Sequence, residues 1–204
     1  TVLDVLRQER RARLPARKAI AILADPVFER TDPRVQSKPA AGGAGSAAPF
    51  SSLPRPPRVR GGLVRLPFSR GEAEAIAGLA PPGDVYKAMD FNASREAATD
   101  GRLANYRFVH FATHGVVDAE HPALSGLVLS LVDEQGAPQN GYLRLHDIYN
   151  MRLNADLVVL SGCDTALGKE IKGEGLIGLT RAFMYAGAPR IVASLWQVSD
   201  LATA

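Results

Sequence analysis

Two stretches decide the fold: Arg107-Phe-Val-His-Phe-Ala-Thr-His-Gly115 and Ala155-Asp-Leu-Val-Val-Leu-Ser-Gly-Cys-Asp164. Each opens with a short apolar run and ends in small or polar residues, the pattern of a buried strand feeding a loop. Strands are expected over 107–112 and 155–160. Working outward, similar runs predict strands over 19–24, 84–88, 126–132 and 190–195. Between them lie helix-forming segments over 69–80, 94–105, 145–149 and 174–187. Ser94 is placed to cap the second, and 174–187 carries Leu176, Ile177, Leu179, Phe183 and Met184 at amphipathic spacing. Strands that are apolar on both faces and alternate with helices predict an α/β fold, with a mostly parallel central sheet covered by helices on both faces.

The chain has 204 residues, 46 % of them apolar, and a formal charge of +3. That is enough for one substantial domain. The longest apolar runs, 157–160 and 191–195, are too short to cross a bilayer, so no membrane partner is expected. The basic opening, 1–17, shows no secretory signal with its apolar core and small-residue cleavage site, which points to the cytoplasm. The chain does not begin with Met, and Leu201-Ala-Thr-Ala204 reads as the opening of a helix, so a fragment of a longer protein is expected. Heavy use of Ala, Gly and Arg suggests a GC-rich bacterial source. Residues 32–62 are rich in Pro, Gly, Ala, Ser and Arg and read as a flexible insertion or linker. Arginines crowd 7–17 and 55–60 without interleaved aromatic residues to stack on bases, so nucleic acid is an unlikely partner.

In open α/β sheets chemistry collects at the carboxyl ends of strands. One such end delivers His114, followed by Gly115; another delivers Cys163, preceded by Gly162. An imidazole beside a thiol shifts it toward thiolate and can then protonate a leaving amine. The backbone N–H groups of Gly115 and Cys163 stand where an oxyanion hole is needed. A lone Cys or His at a strand end is often only structural, so the residues by themselves leave both readings open. The single cysteine excludes an internal disulfide and a multi-cysteine zinc site. His110-x-x-x-His114 lies on an expected strand, not on the helix that a metal-binding pair of that spacing needs. Gly173-Glu-Gly175 lacks the spacing of a phosphate-binding loop. Neither a cofactor nor a metal is expected.

Several stretches together resemble a known family: Phe108-Val-His-Phe-Ala-Thr-His-Gly115, Leu124-Ser-Gly-Leu-Val-Leu129, the segment from Asn154 through Ser161-Gly-Cys-Asp-Thr-Ala-Leu-Gly168, Gly173-Glu-Gly-Leu-Ile-Gly-Leu-Thr-Arg-Ala-Phe183 and Val192-Ala-Ser-Leu-Trp-Gln-Val-Ser-Asp200. In this order they resemble the CHAT domain, the caspase-related peptidase domain often joined to TPR repeats. The resemblance runs from about Lys18 to the end, with 32–62 as an unmatched insertion and 1–17 as a basic extension. It implies a caspase-like α/β fold, kinship with separase, a His114/Cys163 dyad, and a following helix cut off after Ala204. It further implies that Trp196 lines the substrate cleft and that Asp200 stands near the pocket for the residue before the cut. Asp164 is a second acidic candidate. An acidic residue there would favour Arg or Lys in the substrate. Asp200 can equally be an N-cap of the next helix, and Asp164 with Thr165 can simply fix a turn.

The leading expectation is therefore a cysteine endopeptidase that acts on a protein or peptide through a thioester and cuts after a basic residue. A catalytically idle or gated CHAT-like module that works through partner binding is the alternative. Such a module would be controlled by TPR repeats or another regulatory protein. The 32–62 segment is a candidate cut site or gating loop. A basic adaptor for nucleic acid ranks last.

Overall fold

The computed structural model describes residues 16–36, 63–118, 121–161 and 174–193. Its frame is a five-stranded sheet in the order β2-β1-β3-β7-β8, built from β1 (Lys18–Pro26), β2 (Val85–Asp90), β3 (Tyr106–Ala112), β7 (Leu157–Ser161) and β8 (Ile191–Ala193). Every pair in it is parallel. The chain lays β2 on one side of β1, then crosses over and adds β3, β7 and β8 on the other. The order therefore reverses between β1 and β3, and the carboxyl ends of those two strands flank the crevice where such sheets bind ligands. Ala24 pairs with Ala112, and Ala112 pairs with Ser161, so three strands end level with one another.

Alternation along the strands builds a core on each face. Ala21, Leu23, Val109, Phe111, Val158 and Leu160 point to one side. There they meet α2 (Arg95–Thr99), α3 (Leu145–Asn150) and α4 (Glu174–Ala186). On α4 the buried residues Leu179, Ala182, Phe183 and Ala186 recur at helical spacing, and Phe183 packs its ring 5.6 Å from that of Phe111. Ile20, Ile22, Ala24 and Ala112 point to the other side, against Ala73 and Ile76 of α1 (Phe68–Ala77). The run Glu72-Ala-Glu-Ala-Ile-Ala77 favours a helix, and the chain leaves it at Gly78. Helices thus cover both faces, as expected. None of the described helices is long and apolar enough to cross a membrane.

A second sheet was not legible in the sequence. Its antiparallel strands are β4 (Gly115–Val116), β5 (Gly126–Val128) and β6 (Tyr142–Arg144), each of two or three residues. Such strands are too short to show a period. The strand expected over 126–132 accordingly stops at Val128, although Val132 still forms an isolated bridge to Pro138. Gly126 is needed at the centre of this sheet, because a Cβ there would run into the carbonyl of Leu143.

The helix expected over 94–105 is two pieces. Ser94 caps α2 by accepting from the Ala97 N–H at 3.1 Å, as expected. The helix then ends because Gly101 adopts a φ of 88°, and the Asp100 carboxylate captures the Arg102 N–H. A 3-10 turn, Arg102–Asn105, leads into β3. The insertion expected to be flexible over 32–62 begins within ordered structure: Asp32–Gln36 is tied down through Arg34, whose guanidinium binds Asp32, Asp25 and Asp90. Residues 37–62 lie outside the described residues.

Candidate active site

His114 stands just past the end of β3, at the switch point of the sheet. Its backbone is held on both sides. The Thr113 N–H donates to the Ser161 carbonyl at 3.1 Å, and the His114 carbonyl accepts from the Val128 N–H at 2.9 Å. The Thr113 hydroxyl donates to the Val128 carbonyl. The ring is 2 % exposed and packs 5.2 Å from the ring of Phe28. His114 Nε2 lies 2.6 Å from the carbonyl oxygen of Val64. A carbonyl only accepts, so Nε2 carries the hydrogen. In the neutral ring the lone pair then belongs to Nδ1, which is the nitrogen able to take a proton.

Beneath His114, on the face of the sheet that α1 covers, lies a polar cluster. Glu72 accepts from the Ser161 hydroxyl at 2.8 Å, and its other carboxylate oxygen is 3.2 Å from Nε2 of His110. His110 is therefore a core residue with a carboxylate neighbour. It lies on β3 in direct register with Val159.

A denser cluster closes the β1 side. Asp25 is fully buried at the end of β1 and has a φ of 49°; Asp90 ends β2 with a φ of 53°. Arg65 forks onto both oxygens of Asp25, at 2.9 and 2.8 Å. Arg70 joins Asp25 at 2.9 Å and also binds Asp90. Arg34 reaches Asp90 at 2.7 Å and Asp25 at 3.0 Å. Burial alone would push the Asp90 carboxyl up, but hydrogen bonds from Arg70 and Arg34 outweigh it and hold the group below the usual carboxylate range. Three arginines against Asp25, Asp32 and Asp90 leave the cluster formally neutral.

Of the residues expected to form the site, His114 sits in this crevice, and Gly115 follows it, buried and paired with Leu127 as the first residue of β4. Cys163, Asp164, Trp196 and Asp200 lie outside the described residues. Sequence reasoning missed Val64, Phe28, Glu72, Asp25 and Arg65. A backbone carbonyl such as that of Val64 has no side-chain signature. Asp25 stands before Pro26, and Arg65 follows the arginine-bearing stretch 55–60, so neither position has a motif of its own. The one available hint was Asp25 itself, a carboxylate directly after a run of six apolar residues.

The family model described as the CHAT domain matches residues 2–204. Among curated proteins, tetratricopeptide repeat protein 28 of Mus musculus is 44 % identical over 52 residues. The match covers 26 % of this chain and spans 2 % of that relative's length.

Proposed function

Because the chain belongs to the CHAT domain family, we propose that it is a caspase-like cysteine endopeptidase with His114 as acid–base and Cys163 as nucleophile. The register between β3 and β7 carries this reading. Ala112 pairs with Ser161, and His114 and Cys163 each follow their paired residue by two positions. With Cα atoms spaced 3.8 Å along the chain, Cys163 is at most ~7.6 Å from the Ser161 Cα. Adjacent parallel strands lie ~4.8 Å apart. The two residues therefore follow the paired ends of neighbouring strands at equal distance along the chain, which supports their meeting in one crevice.

In the proposed reaction the Cys163 thiol passes its proton to Nδ1 of His114, and the thiolate attacks the scissile carbonyl carbon. The N–H groups of Gly115 and Cys163 would receive the oxyanion. Collapse breaks the C–N bond, and His114 returns the proton to the departing amine, leaving a thioester that water hydrolyses. Trp196 would line the cleft. Asp200 or Asp164 would receive a basic side chain ahead of the cut. The peptidase domain would run over 18–204 behind the basic extension of 1–17. A reducing cytoplasm would keep the lone thiol available. Similarity to a protein named for tetratricopeptide repeats supports such repeats as the regulatory partner.

The test is labelling with an irreversible peptidyl-Arg acyloxymethyl ketone, read by intact mass. A single adduct on the wild-type chain, lost in Cys163→Ala and slowed in His114→Ala, is expected. If a small thiol reagent labels Cys163 while the peptidyl reagent labels nothing, the peptidase reading fails and a partner-binding module takes its place.

A further inference from the structure

We propose that Asp25 is a positioning residue for His114: through Arg65 it holds the Val64 carbonyl against Nε2 and so decides which ring nitrogen carries the hydrogen. Its part in catalysis rests on the peptidase reading above; its hold on the imidazole does not.

The argument starts at the contact between Val64 and His114. The oxygen that accepts from Nε2 belongs to the peptide unit joining Val64 to Arg65, and that unit is planar. Its direction is therefore set by whatever fixes the residues on either side. The side chain of Val64 is 69 % exposed and anchors nothing. Leu63 rests against the apolar cluster of Phe28, Val116, Val128 and Tyr142, which holds the strap down without aiming its carbonyl. Arg65 supplies direction. Its Nε and Nη2 donate to both oxygens of one carboxylate, and a two-point fork fixes the plane of the guanidinium as well as its distance.

The carboxylate on which it forks is held from several sides. The Asp25 N–H donates to the Ser69 hydroxyl at 3.2 Å, its carbonyl accepts from Arg34 at 2.8 Å, and its side chain is fully buried. A left-handed φ at a non-glycine residue is unfavourable and persists where its surroundings over-determine it. Asp25 is also next to Ala24, the register partner of Ala112, which puts it at the same level of the crevice as Thr113 and His114. One carboxylate, one fork and one peptide plane thus connect the end of β1 to the ring at the end of β3.

Arg70 provides the control. It binds the same Asp25 oxygen at 2.9 Å and is about as exposed as Arg65, but it sits on α1, away from the Val64 peptide. A role limited to stabilising the ionic cluster would make the two arginines equivalent.

The experiment records the ring nitrogens of His114 by long-range 1H–15N NMR on the full 204-residue chain, in the wild type and in Arg65→Ala, Arg65→Lys, Arg70→Ala and Asp25→Asn. The wild type should show a single tautomer with a slowly exchanging Nε2–H. Arg65→Ala should give averaged ring signals and fast exchange, with Arg65→Lys intermediate and Arg70→Ala unchanged. Where Cys163 is alkylated, Arg65→Ala should slow its reaction with the peptidyl ketone by about tenfold to a hundredfold, as misplacement of a catalytic group does. An unchanged His114 spectrum in Arg65→Ala, or equal changes in Arg65→Ala and Arg70→Ala, would overturn the proposal. If Asp25→Asn does not fold, the contrast between the two arginines still decides. An NMR contrast without any peptidyl adduct would sink the peptidase reading and leave the Asp25–His114 coupling standing.

Discussion

Glu72 on α1 accepts the hydroxyl hydrogen of Ser161 at 2.8 Å, joining a helix to the end of a strand 89 positions later in the chain. The other oxygen of the same carboxylate stands 3.2 Å from Nε2 of His110. The Ser161 hydroxyl depends on it, while His110 is only its close neighbour on the paired strand. Glu72→Ala would remove the acceptor of the Ser161 hydroxyl, a loss of about 1–3 kcal/mol. Glu72→Gln keeps an acceptor for Ser161 and should cost less. Urea unfolding of the two variants measures the difference; equal losses would show that the helix packs here without help from the carboxylate.

Acid should weaken the fold through the arginine-bound aspartates. For Asp147, burial opposes ionisation, but hydrogen bonds from Arg95 and from the Arg144 N–H more than offset it and hold the carboxyl below its ordinary range. Asp90 is lowered in the same sense by Arg70 and Arg34. A carboxylate with a depressed folded-state pKa contributes stability that is fully present above its unfolded value. That contribution is lost as pH falls through the folded value. The stability curve should therefore fall below about pH 4, and Asp147→Asn should flatten the fall. Thermal unfolding between pH 6 and 2.5 reads this out, and an unaltered slope in the variant would count against the Arg95 pairing.

Phe183 is fully buried and faces Phe111 across the larger core. Phe183→Ala would remove contacts that α4 makes with the sheet and leave a cavity, at about 3–5 kcal/mol. Chemical denaturation should show the midpoint fall with little change in slope.

Gly101 separates α2 from the 3-10 turn with a φ of 88° and open space around its Cα. Gly101→Ala introduces no clash, so its whole effect is backbone strain, roughly 1 kcal/mol. A change near zero in the melting temperature would mean that the turn relaxes to negative φ.

The parallel sheet was readable from the chain because buried strands are mostly apolar. The mostly apolar stretches at 107–112 and 155–160 fall within a residue or two of β3 and β7. The helix over 94–105 was drawn too long for a local reason: Gly101 costs little on paper, while its left-handed backbone ends the helix outright. The small antiparallel sheet escaped notice because strands as short as Gly115–Val116 carry no period at all.

The site divides in the same way. The place of His114 just past the end of a predicted strand was legible, since that depends only on local pattern. Its partners were not. The Val64 carbonyl lies 50 positions away, and Asp25 gathers arginines from 34, 65 and 70. Apolar periodicity is written along the chain and survives without tertiary contacts, so the sequence by itself determined the parallel strands and the main helices, while its ordered motifs pointed to the family. Which backbone oxygen meets an imidazole, and which carboxylate collects three guanidinium groups, depends on distances across the sheet, and only the folded structure decides those.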